Sequence, residues 1–209
     1  MNLNSETIIG DSLKTAFEID TYIWIIKKVK EDTFSADEGF RNCFNHFFRV
    51  RQRSGEWYCA FYNLLKKQRT YCQSYRELLE EMAKVPVKRN NGEFSANVEA
   101  SFVSKLIATI DPNKPIWDQW VLQYLKLDKE WSKFDNAPIS ERIEKAAGIY
   151  LKIEDEYKRF LASEEGKVCI EIFDKFLPEY KKELTDVKKL DYLLWSKRPQ
   201  KKDQSDFDL

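Results

Sequence analysis

Phe40, Phe44, Phe47 and Phe48 are separated by three, four and seven residues, and nearly every other stretch of the chain repeats such a spacing. Apolar side chains at these intervals line one face of an α-helix. Little interrupts the pattern. Six glycines and six prolines in 209 residues are too few for the tight turns of a β-sandwich or barrel. The hydrophobic share of 43% is enough for a core, which excludes global disorder. The expected fold is an all-α, multi-helix single domain over residues 1–198, open to division into two helical lobes with a cleft. Residues 199–209, PQKKDQSDFDL, read as a disordered polar tail.

The spacing predicts a first helix through Leu13, Phe17 and Ile26, with Asp11 and Ser12 as cap candidates, and a second opening at Ala36 and Asp37. Arg53, Ser54 and Gly55 break it, and a third follows through Trp57, Phe61, Leu64 and Leu65. A fourth is expected at about 74–83. Residues 85–92, VPVKRNNG, carry a proline and an Asn-Gly turn signal and read as a loop. Further helices are expected at about 96–110, 117–127, 140–163, 164–176 and 186–196.

Formal net charge is zero, so global charge names no partner and electrostatic arguments must be local. The four cysteines (Cys43, Cys59, Cys72, Cys169) form no C-x-x-C pair, and His46 is the single histidine, which argues against zinc. The first residues, MNLNSETIIG, lack a basic start followed by an apolar stretch, and no apolar run approaches the length of a membrane span. The expectation is a soluble, cytoplasmic protein with reduced thiols and no membrane partner. The sequence lacks Walker A, G-x-G-x-x-G, G-x-S-x-G, H-E-x-x-H and calcium-loop patterns, and implies no metal or organic cofactor.

Residues 41–76 hold eight Lys or Arg against one acid, Glu56, with nine aromatics interleaved. Cations neutralise phosphates, and aromatic planes stack on exposed bases. The same spacing also suits a helix pair with aromatics inside and cations outside. Arg49, Arg51 and Arg53 fall at a helix end, where side chains can converge on an anion. They are candidate phosphate contacts, with Trp57 and Trp117 as candidate walls of a base pocket.

Residues 101–120, SFVSKLIATIDPNKPIWDQW, concentrate the chemistry. With Val98 at zero, Lys105 falls at about 340°, on the rim of an apolar arc of roughly 0–180°. The turn Asp111-Pro112-Asn113 ends the helix, and Pro115 leads into the next. Asp118 then stands at that helix's start, as a cap or as a fixed carboxylate able to stabilise a cation or orient a water.

The run from Ser104-Lys105 to Pro115-Ile116-Trp117-Asp118 resembles the catalytic segment of helix-hairpin-helix DNA glycosylases. In that superfamily one helix carries a lysine in bifunctional members, and a short loop delivers an aspartate to the cap of the next. Lys105 and Asp118 match those positions over about twenty residues. The stretch before Lys105, NVEASFVS, has no glycine, so Asp118 is the stronger match. The resemblance implies a DNA N-glycosylase with Asp118 and Lys105 as catalytic residues and DNA as partner. It would act in DNA repair or in antiviral defence against modified phage DNA. The alternative is a non-catalytic helical module that binds nucleic acid or a protein partner.

Overall fold

The computed structural model describes residues 13–88, 92–134 and 136–196. Helix α5 (Ala100–Ile110) stands midway in the order of the described helices. Before it come α1 (Leu13–Lys28), α2 (Glu38–Phe47), α3 (Gly55–Gln68) and α4 (Tyr75–Ala83). After it come α6 (Gln119–Tyr124), α7 (Asp128–Ser132), α8 (Ile139–Ala162), α9 (Glu164–Phe176) and α10 (Asp186–Ser196). Helices α1, α3 and α4 pack against α5, while α8 packs against α4, α9 and α10. The all-α expectation holds.

The sequence writes most helix starts explicitly. Asp37, Ser54 and Ser163 each accept a backbone N–H from the first turn they precede. Ser74 and Glu77 form a reciprocal capping box at α4. Each cap satisfies donors that would otherwise lack a helical partner, typically stabilising by about 1 kcal/mol.

Buried apolar residues form one connected cluster running from Ile19 to Leu194. Helices α4 and α5, on either side of residues 85–92, pack on each other. The buried side chains therefore do not divide there into two lobes. That stretch is also not wholly a loop: Val87–Lys88 (β1) pairs antiparallel with Phe94–Ser95 (β2). Two-residue strands are too short to show alternation in sequence, so only the Asn-Gly turn signal was visible. Gly92 takes φ 87 there, a conformation that side chains with a Cβ resist.

The helix expected at 96–110 begins only at Ala100, and the one expected at 117–127 is confined to Gln119–Tyr124. Lys126 ends the latter at φ 60, its amide meeting the Gln123 carbonyl while Leu127 reaches back to Leu122 at 2.8 Å. This Schellman turn stops the helix without glycine or proline, which hid the boundary from a pattern search. The single turns at Phe34–Ala36, Pro178–Tyr180 and α7 are too short to carry a period. The proposed caps Asp11 and Ser12 and the polar tail at 199–209 lie outside the described residues. No described helix is long and apolar enough to cross a membrane.

Candidate functional site

The turn between α5 and α6 is fastened residue by residue. Asp111 closes α5 and accepts the Asn113 amide at 3.0 Å. Thr185 donates to the Pro112 carbonyl at 2.6 Å, Lys188 to the Lys114 carbonyl at 2.8 Å, and Tyr150 to the Pro115 carbonyl at 2.9 Å. The Ile116 amide points at Asp191 over a longer 3.5 Å. The Trp117 amide donates to Ser104 Oγ at 2.9 Å, while that hydroxyl donates to the Ser101 carbonyl. A buried turn must find partners for its backbone groups, and this one takes them from α5, α8 and α10.

Behind it lies a buried ion pair. Lys188 and Asp191 are 1% and 0% exposed and meet at 2.5 Å. Tyr157 donates to the same carboxylate at 2.8 Å. Burial pushes the Lys188 ammonium down and the Asp191 carboxyl up from their ordinary values, and their contact opposes both shifts. Burial also raises the Tyr157 hydroxyl well above the usual tyrosine value, keeping it a donor. Sequence reading passed over these three residues. The sole signal was a lysine and an aspartate three apart on the stripe of α10 that also carries Tyr192 and Trp195.

The pinned turn sets Asp118 at the start of α6, where its Oδ1 accepts the Trp120 amide at 2.8 Å. Lys105 lies on α5, its Nζ donating to the Phe48 carbonyl at 3.2 Å and lying 4.9 Å from the Phe102 ring centre. Lys105 and Asp118 line one cleft of about 230 Å³, together with Glu18, Arg49, Trp120 and Trp195. The two sequence candidates thus share a cavity, and each also has a structural duty. Asp118 caps α6, and Lys105 ties α5 to the end of α2.

Arg49 enters this cleft from a strained loop. It takes φ 54 at the end of α2, and Gln52 takes φ 57 three residues later. The Arg49 amide meets His46 and Val50 reaches back to Asn45 at 2.8 Å, so Arg49 fills the position usually held by glycine. A side chain there costs roughly 1–2 kcal/mol. Strain of this kind collects at functional sites. Arg49 also borders a neighbouring hollow of about 320 Å³ lined by Arg51, His46, Thr21 and Glu18. Glu18, Phe47 and Arg49 belong to both hollows, which makes one continuous groove.

Arg53, Trp57 and Trp117 are elsewhere. Arg53 pairs at 3.3 Å with Glu99, itself 3% exposed, and lies over the Trp57 and Phe102 rings. Trp57 is fully buried and stacked on Phe61. Trp117 is 4% exposed and packs edge-on against Trp131. These three are placed to hold the core, not to meet a base or a phosphate. The indoles that do line the cleft, Trp120 and Trp195, went unmarked in the sequence. Trp120 stands two residues past Asp118 and was within reach of the same argument; Trp195 carries no local signal.

The basic-aromatic segment divides the same way. Phe44, Phe48, Trp57, Phe61, Tyr62 and Tyr75 are buried. Arg41 donates to the Ser35 carbonyl, Arg69 to the Lys30 and Glu31 carbonyls, and Arg76 pairs with Glu80 and Glu144. Arg49, Arg51, Lys66 and Lys67 are exposed, and the first two of these face the groove.

Among the described residues no group of His, Cys, Asp or Glu could hold a metal ion. No family model matches the chain, and neither a curated protein nor a solved structure matches it.

Proposed function

We propose that the groove binds DNA and that the cleft hydrolyses the N-glycosidic bond of an extruded, modified base. One observation carries this reading: a lysine and a helix-capping aspartate, 13 residues apart in sequence, line one cleft with an arginine held in a strained turn. Removing a base from duplex DNA requires taking it out of the stack and into such a cavity. Trp120 and Trp195 supply apolar walls.

The transition state of glycosidic cleavage carries positive charge on the sugar. A carboxylate fixed in advance stabilises that charge without reorganising. Asp118 is fixed at one oxygen by the Trp120 amide and at its backbone by the pinned turn. It either faces the developing cation or orients the attacking water. Arg49 and Arg51 hold the flanking phosphates. Lys105 spends a hydrogen bond on the Phe48 carbonyl, so its assigned role is to anchor a phosphate at the cleft rather than to attack the sugar.

A second reading has its own support. Asp118 and Lys105 both make contacts that a purely structural role would explain. On that reading the groove binds nucleic acid without catalysis. Incubation with base-modified and unmodified duplexes, followed by scoring of abasic sites, separates the two. Abasic sites in a modified duplex support the glycosylase. Binding without abasic sites in any duplex supports the module.

A further inference from the structure

A second cavity lies on the other side of α5 from the groove. It encloses about 470 Å³, within the range of small-molecule sites. Ile107 and Ile110 face it from α5, about 140–200° around the helix from Lys105. Its floor includes the Tyr75 and Tyr150 rings, stacked with centres 4.0 Å apart. Both hydroxyls are committed, to the Ala100 and Pro115 carbonyls, and the residues are only 8% and 2% exposed, so the pair offers a narrow strip of ring and no donor. Leu151 stands at the cavity with 59% of its surface exposed.

The charges around the cavity are unbalanced. Lys114 is matched by Glu154 at 2.7 Å. Arg76 is drawn off to Glu80 and Glu144, neither of which lines the cavity. The lining thus holds three carboxylates, Glu77, Asp111 and Glu154, against two cations, and neither Glu77 nor Asp111 forms a salt bridge with those cations, although Asp111 also feels the buried Lys188 ammonium. The Glu77 and Asp111 carboxylates accept from the Ser74 and Asn113 N–H groups, which fixes their positions but not their charge. Gln73, also in the wall, holds an enclosed side-chain oxygen that receives no donor.

We infer that this cavity is a second binding site, for a small organic cation with an aromatic body, such as an arylalkylamine. The apolar wall of Ile107, Ile110, Ala147 and Leu151 favours the ring, and the excess of carboxylates selects the sign of the head group. The inference does not rest on the glycosylase reading, and its test contains no DNA.

Tryptamine and indole-3-propionate share a ring system and differ in the charge of the head. Each is titrated against the full chain by calorimetry. In parallel the reaction of the exposed Cys72, which lines the cavity, with a thiol reagent is followed. Saturable tryptamine binding is expected, with slowed modification of Cys72 and unchanged modification of the exposed Cys59. Indole-3-propionate should bind at least about tenfold more weakly. Asp111→Asn, which keeps an oxygen for the Asn113 amide, should weaken tryptamine several-fold and leave indole-3-propionate no weaker. Ala147→Leu, which intrudes on the cavity, should weaken tryptamine as well. Absence of saturable tryptamine binding, equal binding of the two probes, or binding that leaves Cys72 equally reactive would overturn the assignment.

Discussion

Lys188 Nζ donates to the Lys114 carbonyl oxygen at 2.8 Å, tying α10 to the turn that ends in Asp118. The same ammonium meets Asp191, and Asp191 takes the Tyr157 hydroxyl. Residues far apart in sequence thus hold the turn that places Asp118 at the start of α6. Removing one member leaves the other charged and buried. Lys188→Met or Asp191→Leu alone should cost about 3–5 kcal/mol in urea unfolding. The double variant, which buries no orphan charge, should recover most of that loss. If the single variants cost no more than an ordinary surface change, the pair does not fasten the turn.

Helix spacing showed most of the architecture because each long helix buries one face, and a buried face must repeat with the helical period. Expected and observed bounds coincide for α9 and α10. What escaped is what period cannot encode. A two-residue hairpin has no period, and a Schellman turn closed by Lys126 lacks the glycine that marks most such ends. At the site, Lys105 and Asp118 were legible because sequence-local geometry brings them together. The pairing of Arg53 with Glu99 was not, because the partners lie 46 residues apart and the cation looked available until its partner was seen.

Two glycines of neighbouring helices should respond in opposite directions. A Cβ on Gly166, at the tight junction of α8 and α9, would stand 2.0 Å from the Phe160 carbonyl oxygen. Gly166→Ala should destabilise by about 1–3 kcal/mol, as overpacking does. Gly148 is exposed in the middle of α8, with nothing near its missing Cβ. Gly148→Ala should stabilise by roughly 0.5–1 kcal/mol through helix propensity. Thermal unfolding of both variants checks the junction and the helix together.

DNA binding, measured against salt, should report only the cations that face the groove. If Arg49, Arg51 and Lys105 each neutralise one phosphate, log K should fall with log salt at a slope of about −2.7. Replacing Arg49 and Arg51 with Ala should reduce it to about −0.9. Arg53→Ala should leave the slope unchanged and lower stability, because Glu99 stays buried without its guanidinium. A slope that falls for Arg53→Ala and not for the other two would move the interface away from this groove.

The catalytic assignment is sharpest at Asp118. Asn caps a helix nearly as well as Asp, and Asp118→Asn keeps an oxygen for the Trp120 amide. The change therefore isolates the negative charge. Stability should shift by less than about 1 kcal/mol while base release falls by orders of magnitude, since removing one fixed electrostatic group of this kind costs about 10²–10³ in rate. Lys105→Ala divides two mechanisms. A lysine nucleophile would form an imine with the opened sugar, which borohydride reduction traps, and the variant would lose both trapping and strand nicking. Water activated by Asp118 gives no adduct, and the variant keeps base release with weaker DNA binding. The bond from Lys105 to the Phe48 carbonyl favours the second outcome. Lys105→Arg, which retains the cation and cannot form the imine, checks it: release close to wild type supports a holding role, and loss of release with loss of trapping returns the nucleophile to Lys105. A folded Asp118→Asn that releases the base at the wild-type rate would refute the assignment of catalysis to this cleft.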